Sequence, residues 1–440
     1  MNDAHGQSTQ RISLDDAARW VSRKKMIDLI RGSVQMPDKW QLVELSILRV
    51  FPAKHPAFGA QYGLLLRHPR HGTVQGSLYL SPNSKGIRRK STRLKVAAHS
   101  AFVLTGLALP MDDGDLFLHT PDQDPQLPSL RIATSARIMT RRLKLDYSPR
   151  CACLSYRPGR RCTLAYIDGR RPGRFVVGKV FNNGVYDTTP AIHRRVRVEL
   201  RNGAGRAFDV PRPLLSLADL RMVVFSGLRA TESTGRVGLP DAAGQILAAL
   251  HKIKGVSGRH FDHKAEAHTV ERWFTLVERL RQSSPMPQRL RAWLQRAGRK
   301  LPQTRRVFLH RDFYDSQLIA THRGWAVVDL DTACVGDREL DIANFISHHL
   351  WAGIQTQSLG VARRESAAFL EAYLQKKGGV HRLNARRLQY YLVGSLVRVS
   401  LIHSLRTGQE IAAKKLMNVA EGLSMSSARR FYQKIISPKE

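Results

Sequence analysis

Three aspartates and a glutamine crowd into one short stretch of the chain: Asp312, Gln317, Asp329 and Asp331. Two apolar runs lead into them. Val307-Phe308-Leu309 precedes His310-Arg311-Asp312, and Trp325-Ala326-Val327-Val328 precedes Asp329-Leu330-Asp331. Hydrophobic strands that end in carboxylates gather those carboxylates at one edge of a core, where hard oxygen ligands hold divalent cations. Phosphoryl transfer from a nucleotide uses such a set. One aspartate accepts or orients the proton of the attacking hydroxyl, and a carboxamide and a second aspartate hold Mg2+ on the phosphates. A lysine from another part of the chain fixes the α- and β-phosphates. Asp312 fits the first role, Gln317 the carboxamide and Asp329 the main metal ligand. Asp331 is either a second metal contact or a structural acceptor. Lys179, inside the apolar run Phe175–Phe181, fits the lysine. Each residue also has an ordinary use, since a lone Asp caps helices and a lone strand lysine is commonly solvated. The ordered set is what points to phosphoryl transfer.

The elements that must position these groups fall into three regions. Before residue 130, helical apolar spacing from Leu14 to Arg31 is followed by two β-rich segments, Leu42–Phe51 and Ala60–Leu80. The second is interrupted by a turn at His68-Pro69-Arg70-His71-Gly72. Thr120–Leu130, rich in Pro, Asp and Gln, reads as a connector. From residue 131 to 235 the pattern is a meander with one inserted helix. Strands are predicted at Leu154–Tyr156, Cys162–Ile167, Phe175–Phe181 and Met222–Phe225, with a turn at Arg157-Pro158-Gly159-Arg160-Arg161 and a helix over Pro190–Leu200. From residue 236 to 440 the chain is mostly helical. Helices are expected at Asp241–Ile253, Val270–Leu280, Gln288–Gln295, Glu365–Gln375, Ala385–His403 and Gly408–Leu423.

The passage His310-Arg311-Asp312-Phe313-Tyr314-Asp315-Ser316-Gln317 resembles the His-x-Asp-x-x-x-x-Asn loop of the aminoglycoside phosphotransferase and choline kinase-like group, relatives of protein kinases. Val328-Asp329-Leu330-Asp331 is similar to that group's metal-binding segment, and Gly336-Asp337 with Asp341 fits downstream. The resemblance covers roughly residues 150 to 440 and is absent before residue 130. It implies an α+β, two-lobed protein kinase-like fold, with ATP and Mg2+ between a β-rich nucleotide-binding lobe (131–235) and a helical catalytic and substrate lobe (236–440). Residues 1–130 would be an additional α+β region. The resemblance also implies that Arg157, Arg160 and Arg161 lie near the phosphates, that Glu199 pairs with Lys179, and that Phe225-Ser226-Gly227 forms the hinge beside the adenine. One position departs from the group's pattern. Gln317 stands where Asn is usual, which keeps the carbonyl ligand and adds a methylene. Metal geometry would shift, or the protein would bind nucleotide with little turnover. His310 reads as a loop support, and Asp337 and Asp341 as structural anchors.

Composition narrows the substrate. The 440 residues carry 71 Lys+Arg against 35 Asp+Glu, a formal net charge of +36. An Arg-rich codon habit accounts for the total but not for the placement. Arg281–Arg311 holds nine basic residues and no acidic one, and 342–440 holds fifteen basic and five acidic. Polyamine antibiotics require carboxylates around their ammonium groups, so aminoglycosides are disfavoured as acceptors. A neutral or anionic hydroxyl compound fits better: a sugar, a sugar phosphate or a glycoconjugate. The alternative is a kinase-like nucleotide-binding regulator that docks on nucleic acid or a protein partner through its basic surface, although no stacking motif supports specific RNA recognition. The polar start Met1–Gly6 has no apolar signal core, and Arg398 interrupts the longest late apolar stretch. A cytoplasmic protein with four reduced cysteines is therefore expected.

Overall fold

The computed structural model describes residues 22–52, 58–82, 90–97, 100–111, 115–182, 185–202, 208–231, 238–254, 259–281, 287–302, 304–376 and 383–427. The chain start and the first part of the helix expected from Leu14 lie outside them. The described part of that helix, α1 (Arg23–Ser33), starts at Ser22, whose hydroxyl accepts the Lys25 N–H. It lays Met26 and Ile30 on a five-stranded antiparallel sheet. The strands are β1 (Gln41–Pro52), β2 (Phe58–His68), β3 (Gly72–Pro82), β4 (Ala108–Met111) and β5 (Leu116–His119), in the order β1-β2-β3-β5-β4. Alternation does the sorting, because Ala60, Tyr62, Leu64 and Leu66 all face the core. The expected reversal after β2 is a tight hairpin. His68 Nδ1 accepts the Arg70 and His71 N–H groups at 3.0 and 3.1 Å, and Gly72 takes φ +72°.

The connector is more than a spacer. Pro121–Gln123 makes a short 3-10 turn, Asp124 is 2% exposed, and α2 (Leu130–Ala133) and α3 (Ala136–Arg142) follow. A second five-stranded antiparallel sheet comprises β6 (Pro149–Arg157), β7 (Arg161–Asp168), β8 (Phe175–Phe181), β9 (Pro213–Leu217) and β10 (Met222–Ser226), in the order β9-β10-β8-β7-β6. The inserted helix α4 (Val185–Asn202) starts five residues before the expected Pro190, which lies inside it. Spacing alone begins the helix at that proline, because proline is tolerated in a first turn and disfavoured further in. Strand β9 carries no clear signal, since Pro211 and Pro213 read as a lead-in.

The last region is helical around a small strand cluster. Helices α5 (Leu239–Leu250), α6 (His263–Arg281) and α7 (Gln288–Arg299) precede β11 (Val307–Leu309), the hairpin β12 (Leu318–Thr321) and β13 (Gly324–Val327), and β14 (Cys334–Gly336). Helices α8 (Glu339–Gln355), α9 (Leu359–Lys376), α10 (Ala385–Ser404) and α11 (Glu410–Ser424) complete it. Helix α8 is not among the expected helices. Fourteen of its 17 residues are buried, so it has no solvated face to give an amphipathic signal.

The N-terminal unit packs on both other regions. Its core takes in Leu276 of α6, with Trp273, Leu280 and Leu405 against it. Tyr79 and Phe102 join the core of the second sheet, where Tyr79 meets Tyr156 edge-on at 4.7 Å. Backbone bridging links Arg49 of β1 to Arg406, just after α10. All four cysteines are free thiols, with Cys153 Sγ 3.9 Å from Cys162 Sγ. Among the described residues, no helix is long and apolar enough to cross a membrane.

Candidate active site

The loop after β11 is pinned from several directions. His310 is fully buried. Its Nδ1 accepts the Asp312 N–H at 3.3 Å, so Nε2 carries the proton and donates to Val328 O at 2.8 Å. Asp341, at the start of α8, accepts the His310 and Arg311 N–H groups at 2.8 and 2.7 Å. Arg311 adopts φ +69°, a left-handed conformation that costs a non-glycine residue about 1 kcal/mol or more. Those two amide bonds, and its guanidinium 3.9 Å over the Phe261 ring, hold it there. Asn344 donates to Phe313 O, and Asp337 takes Arg387 and the Tyr391 hydroxyl (2.6 Å). Asp337 and Asp341 thus anchor the structure beneath the loop. The Asp312 carboxylate, partly exposed, is not used in this anchoring.

The second carboxylate pair is fixed by the hairpin. The Val328 N–H donates to Gln317 O at 2.9 Å, which sets Gln317 beside the segment that carries Asp329. The Gln317 side chain stays inside, 6% exposed and hydrogen-bonded to Tyr314. Asp329 takes φ +64° at the strand end. Two cations from the second sheet close on it. Lys179 of β8 lies 2.9 Å from Asp329 Oδ1 and 3.0 Å from Asp331 Oδ2. Arg161, the first residue of β7, donates to both Asp329 oxygens at 2.7 and 2.5 Å and to Asp331 Oδ2 at 2.5 Å. Burial opposes ionisation of Asp329, but Lys179 and Arg161 outweigh it and hold the carboxyl well below the usual range. Asp331 goes the other way. Burial and the Asp329 charge raise it against the pull of Lys179.

The turn between β6 and β7 brings the arginines to the carboxylates. Arg157 reaches Asp312 Oδ2 at 3.5 Å. Desolvation, and then the like charges of Arg157, Arg161, Arg311 and Arg272, lower the Arg160 pKa. The turn is held from the N-terminal side. Asp124 accepts the Gly159 N–H and the Tyr156 hydroxyl, each at 2.7 Å. Asn182 donates to Gln126 Oε1 at 3.0 Å and to Gly159 O. Gly159 has φ +64°, which a turn of this shape requires.

One expectation is corrected. Glu199 does not pair with Lys179. It lies one helical turn from Arg195 and bonds to it at 2.9 Å, while Lys179 is taken by Asp329 and Asp331. From α4, His193 comes near Lys179 instead. It is 2% exposed, and burial followed by the Lys179 charge lowers its pKa to about 3. Sequence reasoning misses His193 and Asp124, since a histidine on a helix and an aspartate in a connector carry no spacing signal.

The sequence profile described as "Phosphotransferase enzyme family" matches residues 166–387, half of the chain, spanning Lys179, Asp312, Gln317, Asp329 and Asp331. The chain belongs to that family. No curated protein matches the sequence. Among solved structures, a choline/ethanolamine kinase family protein from Mesorhizobium loti is 12% identical, with 71% of this chain and 98% of that chain covered and a TM-score of 0.46. The choline kinase LicA from Streptococcus pneumoniae is 13% identical, covering 66% and 99%, with a TM-score of 0.45. An aminoglycoside phosphotransferase, APH(4)-Ia, in complex with ADP and hygromycin B is 14% identical, covering 66% and 99%, with a TM-score of 0.42. In this family member the profile begins within β7, so the N-terminal unit and the arginine turn lie outside the shared segment.

Proposed function

We propose that this phosphotransferase is an ATP- and magnesium-dependent small-molecule kinase, moving the γ-phosphate to a hydroxyl of a neutral or anionic acceptor. The observation that carries the reading is the convergence of Lys179 from the second sheet on Asp329 and Asp331, beside a loop that fixes Asp312. In this reading residues 131–235 bind the nucleotide and residues 236–440 carry catalysis and the acceptor. Asp312 accepts or orients the acceptor's hydroxyl proton. His310 and Asp341 keep its backbone in place. Asp329, Asp331 and Gln317 present the oxygen atoms that a magnesium ion takes, and the metal would supply charge neutralisation at the phosphates. Lys179, Arg161, Arg157 and Arg160 hold the phosphates.

The surroundings of Asp312 support this choice of acceptor charge. Arg157 stands on Asp312 itself. That cation, with the nine basic and no acidic residues of Arg281–Arg311, supports a neutral or anionic acceptor over a polycation. The regulatory alternative draws on Gln317 in place of the usual asparagine, and the pinned loop around Asp312 argues for turnover.

The test is ATP consumption by the purified chain against sugars, sugar phosphates, choline-like alcohols and aminoglycosides, with Asp312→Ala in parallel. A general base contributes about 10²–10⁴-fold, so the variant should lose transfer by that factor while nucleotide affinity stays the same. Unchanged turnover would sink the assignment of Asp312.

A further inference from the structure

We propose that Arg49 and Arg406, packed beside Arg157 of the nucleotide-facing turn, form a phosphate-recognition site near Asp312, so that the acceptor is a hydroxyl compound that already carries a phosphomonoester. The proposal rests on the kinase reading and narrows its substrate class. The three guanidinium groups come from three separate parts of the chain. Arg49 is on β1 of the N-terminal unit, Arg157 ends β6, and Arg406 follows α10.

Their convergence is fixed by the backbone. Arg49 and Arg406 form an antiparallel bridge, and the Thr407 hydroxyl donates to Ile47 O. Arg49 Nη2 reaches Tyr156 O at 3.4 Å, one residue before Arg157. Arg157 in turn lies 3.5 Å from Asp312. Tyr314, two residues beyond Asp312, is within the field of Arg157 and Arg406.

Like charges held this close repel, and burial adds to the cost. Desolvation first, then Arg157, lowers the Arg49 pKa; desolvation first, then Arg49, lowers that of Arg406. Arg49 Nε is buried without a hydrogen-bond partner, and Arg406 meets the His403 ring at 3.3 Å. Among the described residues, no carboxylate pairs with Arg49 or Arg406. A merely solvated arginine would extend into water, whereas all three of these are partly buried. A dianionic phosphate, taken in bidentate fashion by planar guanidinium groups, offsets both repulsion and desolvation. The Arg157–Asp312 contact puts this anion site next to the group that would receive the hydroxyl proton.

The test uses the full chain saturated with AMP-PNP and Mg2+, so that nucleotide sites are filled. It is titrated calorimetrically with inorganic phosphate, glucose 6-phosphate and glucose. Phosphate and glucose 6-phosphate should bind, and glucose about tenfold more weakly or worse. Arg49→Gln and Arg406→Gln should each weaken the two phosphate probes about tenfold, with AMP-PNP affinity close to that of the parent. Arg49→Lys should recover part of the loss, separating charge from packing. Vesicles of phosphatidylcholine with and without phosphatidic acid distinguish the sources. Arginine-dependent sedimentation with the acidic vesicles assigns the phosphate to a lipid-borne acceptor, and its absence assigns it to a soluble one. No phosphate binding by the AMP-PNP-loaded protein, or no change in either glutamine variant, overturns the proposal. A parallel loss of AMP-PNP affinity also overturns it, because the arginines would then serve the nucleotide. Should the parent protein fail to bind AMP-PNP at all, the kinase reading falls as well.

Discussion

Replacing Arg161 by glutamine should tighten metal binding in the absence of nucleotide and weaken nucleotide binding in the presence of metal. The opposite signs follow from geometry. Arg161 is 11% exposed and makes three short contacts to the carboxylates a metal would need, two to Asp329 and one to Asp331. Hydrogen bonds between charged groups are worth about 1.5–3 kcal/mol each. Lys179 remains after the change, glutamine can replace one donor, and releasing the arginine to water returns part of its desolvation. A net of about 2 kcal/mol follows, or roughly 30-fold in an equilibrium constant. Mn2+ affinity of the nucleotide-free protein, read by electron paramagnetic resonance, should therefore rise by that factor in Arg161→Gln. The same variant should melt earlier without metal, because the buried pair keeps only Lys179, and should recover on adding Mg2+. With saturating metal its affinity for ATP should fall about tenfold, since a guanidinium proposed to bind phosphate is gone. Unchanged or weaker Mn2+ binding in the nucleotide-free variant would refute the idea that Arg161 and metal compete for the same oxygens.

Two further outcomes follow from buried groups. Asp124→Asn weakens the bonds that fix Gly159 and Tyr156, so it should raise the KM for ATP about tenfold with little change in kcat; equal loss in an Arg161→Gln background would show that Asp124 does not act through the turn. His193 has a folded pKa of about 3 against an ordinary value near 6.5. The unfolded chain therefore binds the proton first, and the neutral ring's stability is complete above about pH 6.5 and lost as pH falls toward about 3. About 2 kcal/mol should be gone by about pH 5, and denaturant titrations of His193→Gln should show a correspondingly shallower acid slope.

Much of the fold is readable from sequence because its signals are local. The strand Phe175–Phe181 and the loop His310–Gln317 announce themselves by apolar runs that end in polar groups, and the structure brings Lys179 from the first onto the carboxylates that follow the second. Helix α8 is silent for the opposite reason, since burial all round erases periodicity. The partner of Lys179 is misread because the expected helix over Pro190–Leu200 offers one acid, Glu199, and spacing names no other. In three dimensions Glu199 is closer to Arg195, and the buried carboxylates of Asp329 and Asp331 need the lysine more. Arg49, Asp124 and Arg406 are not legible at all. Their meaning depends on how a unit outside the family's shared segment docks on the rest.

That docking bears on how a nucleotide enters. The N-terminal unit is joined to the second sheet through Tyr79, Phe102 and Asp124, and to the helical region through Leu276, Leu405 and the Arg49–Arg406 bridge. A wide opening between those two regions would have to break one of these contacts, of which Tyr79, Phe102 and Leu276 are buried and apolar. Swinging Arg157 off Asp312 and Arg161 off Asp329 breaks none of them. Both guanidinium groups then face the space where phosphates would lie, and both carboxylates are free for their own work. Side-chain release is thus the less costly way to pass from the nucleotide-free to the loaded site, and under the proposed reading the cations that neutralise Asp312 and Asp329 at rest are the ones that would receive the phosphates.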